Sequence, residues 1–374
     1  MNKNKKNLLI TQDFDSLSGI SSIGNSTLAL AKQLQGAEIN CSIASPMIKE
    51  SQPLANGVKA EKLKNLTDLN RLVNSNDIIL SITTFSSTNK PLPTYVNQLC
   101  NKNRKPFYPW VRTTYRNSLF NDLVNVSDFY QDLYIKMLVE TFESEFCKKV
   151  LCVSNAVAES VEALGIPASK IRIVYNCIDK NVETHISNKV NKEIDVIFVG
   201  RLSPEKGLLF LLSAVKLVKT YKPNIKAVII GDGNDKNSVA SLIKLLDLKE
   251  NVNIIPKLNN SETLEAIAKS KVLVNTSLTE SLGKCIIEAM YVGTPVIVPN
   301  IEGPLEITDN GTYGHVYEMA NTFDLSNKIL QCLNDKDPDI MRKSEAAKAY
   351  VEKKFDLSKQ AKSFITMLER DKVI

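Results

Sequence analysis

Residues 279–297 read TESLGKCIIEAMYVGTPVI and carry the strongest structural signal in this 374-residue sequence. The apolar run Lys271–Asn275 comes before them and is typical of a buried strand. Gly283 permits a tight turn, helical spacing follows over Ile286–Val292, and Pro295–Val298 reads as the next strand. This order of strand, turn, helix and strand predicts a βαβ unit of a parallel sheet.

The same stretch places two carboxylates around a predicted helix start. The N-terminus of a helix presents backbone N–H groups without intrahelical partners and about half a positive charge, which suits a diphosphate. Glu280 precedes the helix, and Glu288 lies about two turns further on, where its carboxylate is able to accept hydrogen bonds from a ribose diol. Taken alone, the pair is explained equally well as two surface carboxylates near a helix start.

Two further strand ends carry groups suited to phosphate. The predicted strand Asp195–Val199 leads into a glycine turn that is followed by Arg201 and Lys206. A planar guanidinium and a compact ammonium in one loop are able to bind a single polyanion, although pairing with neighbouring loop charges is the alternative. The strand Lys226–Ile230 ends in the triplet Gly-Asp-Gly at residues 231–233, which an ordinary turn explains equally well.

Apolar runs alternate with helical patterns through most of the chain. The runs that read as strands are Asn7–Thr11, Ile39–Ala44, Asp77–Ile82, Pro106–Val111, Lys149–Val153, Arg172–Tyr175, Asp195–Val199, Lys226–Gly231, Asn253–Pro256, Lys271–Asn275 and Pro295–Val298. Helical spacing occurs over Ser26–Gln35, Val157–Leu164, Leu208–Lys219, Asn237–Leu246, Ser261–Ala268 and Ile286–Val292.

The alternation predicts two Rossmann-like domains, because each series of βαβ units is large enough for its own core. We place them at residues 1–180 and 193–340, joined by a polar linker near Asp179–Lys192, and we expect C-terminal helices over residues 341–374. Ligands of such sheets bind beyond the carboxyl ends of the strands, so the site is expected in a cleft between the domains.

Composition places the chain among ordinary globular proteins, with 43% hydrophobic and 24% charged residues. Most of the net charge of +6 lies in residues 1–180. It concentrates around Lys102, Arg104, Lys105, Arg112 and Arg116. This basic cluster has two interpretations. It is either a solvated face, or a surface that attracts an anionic acceptor or an acidic membrane. Nucleic-acid binding is not expected, because a long basic stripe with interleaved aromatic residues is absent from the sequence.

The cysteine pattern and the hydropathy indicate a cytoplasmic protein. The seven cysteines are scattered and form no C-x-x-C pair, which favours free thiols over a disulfide framework or a zinc site. The apolar stretch after the basic N-terminus covers only residues 8–10, so neither a signal peptide nor a transmembrane helix is expected. We expect at most peripheral contact with the inner face of a membrane.

Together these motifs resemble those of the retaining glycosyltransferases of family 4 (glycosyl transferases group 1), which have the GT-B fold. The resemblance covers most of the chain and is strongest over residues 171–315. The matching pieces, in family order, are Ile173–Asp179, Val199–Gly207, Gly231–Gly233, the pair Glu280 and Glu288, Gly293–Ile297 and Gly303–Ile307. The resemblance implies two Rossmann-like domains facing each other across a cleft, with the last helix returning to the N-terminal domain.

The resemblance also implies roles for individual residues. Arg201 and Lys206 would bind the diphosphate and stabilise the departing nucleotide, Glu280 would contact the donor sugar, and Glu288 would hold the ribose. The donor-binding set that it implies is Gly200, Gly231, Asp232, Lys257, Leu258, Leu282, Gly283, Lys284, Cys285 and Glu288. Such enzymes transfer the sugar with retention of configuration and need no metal or other cofactor, because the cations supply the electrostatic stabilisation. The nucleotide sugar is then a substrate, with UDP or GDP as the expected carrier.

The N-terminal half departs from the family pattern. Family members carry glycines after the first strand, where the backbone approaches phosphate and acceptor; here Gly19, Ser22 and Gly24 occupy that segment, and a plain connecting loop explains them nearly as well. The family's histidine beside the donor sugar has no counterpart. The two histidines of this chain, His185 and His315, are expected to be structural or solvated.

The segment Trp110–Arg116 stands at the strand end where that histidine is expected. Arg112 or Thr113 is predicted to replace it as a hydrogen-bond donor, which makes Arg112 a candidate catalytic residue. The alternative is that this segment binds an anionic acceptor, and Trp110 is explained equally well by ordinary packing.

The predicted function is that of a hexosyltransferase that moves a sugar from a nucleotide-diphosphate sugar to a polysaccharide, lipid-linked or small-molecule acceptor. The alternatives are a non-catalytic GT-B partner subunit and a nucleotide-sugar epimerase or hydrolase of the same fold. The missing histidine favours the partner subunit, whereas the intact donor motif with Arg201, Lys206 and Glu280 opposes it. An acid/base pair that an epimerase or hydrolase would use is not recognisable in the sequence.

Overall fold

The computed structural model describes residues 5–12, 22–37, 39–54, 57–83, 92–114, 128–178, 191–334 and 337–374. It divides into two compact units. The N-terminal unit consists of Met1–Cys177 together with Leu357–Ile374, and the C-terminal unit is Ile178–Asp356. Most of the sequence around the expected linker lies outside the described residues.

The N-terminal unit is built on an eight-stranded sheet in the order β3-β4-β2-β1-β5-β6-β7-β8. Its strands are β1 Asn7–Thr11, β2 Asn40–Ser45, β3 Gln52–Pro53, β4 Lys59–Lys62, β5 Ile78–Thr83, β6 Phe107–Val111, β7 Val150–Cys152 and β8 Ile171–Ile173. The strand pairs are parallel except β3 with β4. The central strands β5 and β6 are buried along their whole length, as expected of parallel strands covered on both faces.

The helices of this unit are α1 Ser22–Gly36, α2 Leu66–Ser75, α3 Leu92–Lys102, α4 Asp128–Glu143, α5 Asn155–Glu162 and, from the C-terminal end of the chain, α13 Leu357–Arg370. Helix α13 packs against α1. Its end is fixed by Tyr108 of β6, whose hydroxyl donates to the carboxylate of Asp371 at 2.8 Å. The N-terminal unit is therefore completed by the last helix of the sequence.

The C-terminal unit has a fully parallel six-stranded sheet in the order β11-β10-β9-β12-β13-β14. Its strands are β9 Ile194–Val199, β10 Ala227–Ile230, β11 Val252–Ile255, β12 Ser270–Val274, β13 Val296–Pro299 and β14 His315–Tyr317. Its helices are α6 Leu208–Tyr221, α7 Lys236–Leu245, α8 Asn260–Ala268, α9 Lys284–Tyr291, α10 Glu302–Thr308, α11 Thr322–Cys332 and α12 Pro338–Lys354.

The predicted α/β class with two Rossmann-like domains is confirmed. The C-terminal amphipathic stretch is interrupted at Phe355 and Asp356, so that α12 belongs to the C-terminal unit and α13 to the N-terminal unit. All seven cysteines are free. Among the described residues, none of the helices is long and apolar enough to cross a membrane.

Candidate functional site

The residues singled out in the C-terminal half follow the carboxyl ends of four neighbouring parallel strands. These strands are β11, β10, β9 and β12, which lie side by side in the sheet. The residues that follow them are Lys257 and Leu258 after β11, Gly231 and Asp232 after β10, Gly200 and Arg201 after β9, and the segment from Asn275 to Gly283 after β12. Because parallel strands end at one edge of a sheet, their loops lie next to one another.

The turns after β9 and β10 are packed backbone against backbone. A Cβ on Gly231 would come within 1.9 Å of the carbonyl oxygen of Gly200, so no larger residue fits there. Leu202 N–H donates to the carbonyl of Asp232 at 3.0 Å and joins the two loops. The contact between the two loops therefore requires a glycine at position 231, whether or not a ligand binds.

Lys206 and Glu280 form the central ion pair of this site. Lys206 ends a single 3-10 turn, Pro204–Lys206, and its carbonyl accepts a hydrogen bond from the Thr276 hydroxyl at 2.8 Å. Its ammonium lies 2.6 Å from Oε2 of Glu280, and Ser277 Oγ lies 3.4 Å from the same oxygen. The Lys206 and Glu280 side chains are 19% and 18% exposed, so the pair is largely, though not fully, withdrawn from water.

Electrostatics keep Lys206 charged. Burial of the ammonium lowers the pKa of Lys206, but the attraction and hydrogen bond of Glu280 outweigh that effect and leave the pKa above its ordinary value. The nearby thiol of Cys285 behaves in the opposite way, because burial, followed by the charges of Glu280 and Glu288, raises its pKa to about 12. Cys285 is therefore a neutral group at physiological pH and not a nucleophile.

The turn at Gly283 leads into helix α9. Gly283 has a φ of 95° and caps the helix, and its carbonyl accepts a hydrogen bond from Ile286 N–H at 3.0 Å. A Cβ at this position would lie 2.8 Å from Ile286 Cδ1 and 3.4 Å from Cγ of Glu280. The Glu280 side chain therefore lies beside the first turn of α9, and the Lys206 ammonium bound to it approaches the same helix end. Leu282, by contrast, points its side chain into the core and is buried.

A second ion pair lies on α9 itself. Lys284 Nζ lies 2.7 Å from Oε1 of Glu288, and the two side chains are only 11% and 8% exposed. Asn260, the first residue of α8, accepts a weaker hydrogen bond from the same ammonium at 3.4 Å. A cation in the first turn of a helix is unfavourable for the helix dipole, so the carboxylate of Glu288 is what holds Lys284 in this position.

Arg201 occupies the outer part of the site. Its side chain is 71% exposed, and its Nη1 lies 3.8 Å from Oε1 of Glu205. Lys257 lies near it: the pKa of Lys257 is lowered by burial and by the positive charge of Arg201, and Asp232 offsets part of this shift. The structure thus brings Arg201, Asp232 and Lys257 into one electrostatic group.

Glu205 is a site residue that the sequence reasoning missed. It is buried, accepts a hydrogen bond from Ser203 Oγ at 2.6 Å, and its carbonyl accepts from Leu278 N–H at 2.8 Å. Its charge adjoins both Arg201 and Lys206, since it also contributes to the raised pKa of Lys206. In the sequence, Glu205 lies between Arg201 and Lys206, and this position was the signal that could have identified it as a site residue. Whether Arg201 and Lys206 meet on one diphosphate stays a prediction.

The candidate residues of the N-terminal unit are less completely described. Gly19 lies outside the described residues, Ser22 begins helix α1, and Gly24 is buried in its first turn. Arg112 follows β6, where its N–H donates to the carbonyl of Thr83 at 2.9 Å.

The structure corrects the interpretation of the basic cluster as one solvated face. Arg112 is only 4% exposed, and the ammonium of Lys105 is engaged with the carbonyls of Asn74 and Asn76 at 2.9 and 2.8 Å. Arg116 lies outside the described residues. Lys102 and Arg104 are exposed.

His315 lies in β14 and is buried. Burial and the nearby cations Lys343 and Lys328 lower its pKa to about 4, so its imidazole is neutral at physiological pH. His185 lies outside the described residues. Within the described part of the chain, no group of three or more His, Cys, Asp and Glu side chains is arranged to hold a metal ion.

Comparison with known proteins agrees with this architecture. Residues 179–353 match the family of glycosyl transferases group 1, and residues 94–182 match glycosyltransferase family 4. The crystal structure of HepE from Anabaena, solved with UDP and glucose, has a TM-score of 0.77 and 17% sequence identity, covering 98% of this chain and all of HepE. Residues 94–353 therefore resemble glycosyltransferases of group 1 and family 4, and the fold is that of the GT-B glycosyltransferases.

Two sequence relatives add to this family resemblance. An uncharacterized 41.2 kDa protein from the cps region of Klebsiella pneumoniae is 27% identical over 68% of this chain and 70% of its own length. The capsular polysaccharide biosynthesis glycosyltransferase CapM of Staphylococcus aureus is also 27% identical, over 51% of each chain. The match therefore spans about half the length of CapM. Together, the family matches and these relatives support glycosyltransferase activity.

Proposed function

We propose that the chain transfers a sugar from a nucleotide-diphosphate sugar, bound by the C-terminal unit, to a glycan or lipid-linked acceptor. The observation that carries this proposal is the Lys206–Glu280 ion pair beside the first turn of α9. The Lys206 ammonium, which Glu280 holds in place, and the N-terminus of α9 together form a site for a diphosphate. The bound UDP and glucose of HepE, and the resemblance to a capsular glycosyltransferase, support a nucleotide sugar as donor and a glycan as product.

In this proposal the diphosphate takes the place of Glu280 at the ammonium of Lys206. The carboxylate released from Lys206 then accepts hydrogen bonds from hydroxyls of the donor sugar, while the first-turn amides of α9 donate to phosphate oxygens. Arg201, whose guanidinium is exposed, closes on the outer side of the diphosphate. These cations provide the charge stabilisation of the leaving group without requiring a metal ion.

The bond between the anomeric carbon and the diphosphate oxygen breaks, and its electron pair leaves with the nucleotide diphosphate. The acceptor hydroxyl oxygen forms the new bond from the same face of the sugar, with retention of configuration, and its proton passes to the departing diphosphate. Lys206 and the α9 amides lower the energy of this step because they meet negative charge as it develops.

Glu288 holds the ribose hydroxyls in this proposal. Its Oε1 is bound to Lys284 at 2.7 Å, and its Oε2 accepts from the ribose. Lys257 and Asp232 lie at the strand ends on the outer side of the site, where the base of UDP or GDP is expected.

The donor is identified by screening UDP-, GDP- and ADP-sugars in a thermal-shift assay, since a ligand that binds only the folded state raises the melting temperature. We expect stabilisation by a UDP- or GDP-sugar in the wild type, a much smaller shift in Lys206→Met, and an unchanged shift in Lys219→Met, whose ammonium pairs with Asp247 on the surface of the same unit. Radiolabelled transfer to a glycan or lipid-linked acceptor then measures turnover. If none of the nucleotide sugars stabilises the wild type, the proposal is wrong.

A further inference from the structure

The N-terminal unit contains a buried charge without a counter-charge. The guanidinium of Arg112 stacks on the Trp110 ring, with 3.7 Å between its central carbon and the ring centroid, and its Nη1 donates to Oδ1 of Asn176. No carboxylate of the described residues pairs with it. Among the described residues, the one charge effect on the pKa of Arg112 comes from Cys177.

Two of the three guanidinium nitrogens of Arg112 make no hydrogen bond. Nε and Nη2 are buried and have no partner in the described part of the chain. These two nitrogens carry their hydrogens on the same edge of the guanidinium plane, and this edge is able to bind both oxygens of a carboxylate or phosphate. Asn176 engages the remaining nitrogen, so the bidentate edge is the part left unused.

An arrangement of this kind is costly in a folded protein. Buried donors are almost always satisfied, and buried charges are paired, because each loses its hydration. The cost appears in the pKa of Arg112, which burial lowers to about 9 with only partial compensation by Cys177. The side chain is nevertheless charged at neutral pH, and the stacking on Trp110 fixes the plane of its unused edge.

We propose that the Nε–Nη2 edge of Arg112 is a binding site for an oxyanion, a phosphate or carboxylate group, that belongs to the acceptor. The oxyanion supplies the two acceptor oxygens and the negative charge that the fold itself does not provide. That the group belongs to an acceptor rests on the function proposed above, whereas the existence of the anion site does not. An acidic sugar and a phosphate-linked lipid would both offer this chemistry.

Trp110 provides a direct reporter for this site. It is the single tryptophan of the chain, and it touches the guanidinium that binds the anion. We would titrate the full chain with inorganic phosphate, the smallest probe of suitable geometry, and follow the tryptophan emission against sodium chloride at matched ionic strength. The expected result is a saturable change with phosphate that chloride does not produce. A parallel titration with acetate distinguishes a phosphate site from a carboxylate site.

Two lysine substitutions test whether binding depends on the bidentate edge of Arg112 or only on its positive charge. Arg112→Lys keeps the charge and loses the two-pronged edge, and should weaken phosphate binding by about ten-fold or more. Arg172→Lys makes the same change at an exposed arginine of β8 and should leave the titration unchanged. Lys206→Met, which removes the cation proposed for the donor, should also leave the Trp110 signal unchanged.

The titrations of the wild type and of Arg112→Lys decide the inference. If neither phosphate nor acetate produces a saturable change beyond that of chloride, or if Arg112→Lys binds phosphate as well as the wild type does, the inference is wrong. This outcome is distinct from failure of the proposed function, because donor binding is measured separately, by the melting temperature in the nucleotide-sugar screen.

Discussion

The two units deal with buried charge in opposite ways. In the C-terminal unit the cations of the candidate site are neutralised from within, Lys206 by Glu280 at 2.6 Å and Lys284 by Glu288 at 2.7 Å. In the N-terminal unit the guanidinium of Arg112 is buried beside the Trp110 ring and the Asn176 amide. No carboxylate of the described residues pairs with it. The ion pairs of the C-terminal unit keep their lysines charged and oriented without a ligand. The Arg112 guanidinium has a charge that a ligand could neutralise.

This difference indicates what each site has to recognise. An internal carboxylate keeps a lysine charged and oriented before a polyanion arrives, but the polyanion then has to displace it. The Arg112 guanidinium has no carboxylate partner among the described residues, so a singly charged group has no internal counter-charge to displace there. The contrast fits a C-terminal unit that binds a diphosphate and an N-terminal unit that binds a smaller acidic group.

The largest expected effect is the loss of activity in Lys206→Met. If Lys206 meets the leaving group in the transition state as proposed, its removal should lower kcat/KM by about 10³-fold. Steady-state transfer assays with the identified donor measure this effect, and Lys219→Met is the control. A loss smaller than about three-fold would assign the Lys206–Glu280 pair to folding and remove it from catalysis.

The next effect concerns the stability that a buried pair provides. Lys284→Met leaves the carboxylate of Glu288 buried without its cation and should lower the free energy of unfolding by about 3 kcal/mol. Urea denaturation followed by circular dichroism measures the change. The matched control is Lys269→Met, which breaks the exposed i,i+4 pair with Glu265 at 2.7 Å and should have little effect. Equal losses of unfolding free energy in Lys284→Met and Lys269→Met would show that burial does not increase the contribution of the Lys284–Glu288 pair to stability.

His315 provides a third case, a buried base that avoids an unpaired charge by staying neutral. Its folded pKa of about 4 lies below the value of 6.5 for an unperturbed imidazole. The stability is therefore complete above pH 6.5 and is lost as the pH falls from 6.5 towards 4, because the unfolded chain takes up the proton first. We expect the wild type to lose about 2 kcal/mol more than His315→Gln over this interval in urea denaturation. Parallel pH profiles for the two proteins would contradict the assignment.

The smallest expected effect is on stability in Arg112→Met. Because the substitution removes an uncompensated buried charge, the unfolding free energy should rise or fall by no more than about 1 kcal/mol. The same substitution at Lys206 breaks an ion pair and should cost clearly more. Chemical denaturation of both variants tests the comparison directly, and an equally large loss at Arg112 would mean that its contacts with Trp110 and Asn176 already satisfy it.

Much of the fold was predictable because the apolar runs are short, regular and bounded by clear turns. Strand β1 has the predicted bounds Asn7–Thr11, β9 differs from the prediction by one residue at its start, and β10 differs by one residue at each end. The sequence did not indicate β3, β4 or β14, which have two, four and three residues. Both residues of β3 are exposed and β4 has a single buried residue, so neither carries the apolar run that marked the predicted strands.

The site was predictable at the level of residues but not of partners. The motif spacing identified Lys206, Glu280 and Glu288, and the parallel sheet brings their loops together. The pairing of Lys284 with Glu288 follows helical i,i+4 geometry and was available from the sequence, although its burial was not. The burial of Arg112 was unpredictable, because an arginine next to a polar loop looks exposed until the tertiary packing is known.

Helix α13 makes the N-terminal unit dependent on a segment that follows it by nearly 180 residues in the sequence, between Cys177 and Leu357. The buried side chains of this helix, Leu357, Ala361, Phe364, Met367 and Leu368, complete a unit whose other elements all precede residue 178. During synthesis on a ribosome, the C-terminal unit has its whole sequence available first, and the N-terminal unit is complete only after α13 has been made. A nonsense mutation shortly before Leu357 would therefore damage mainly the half of the molecule that is translated first.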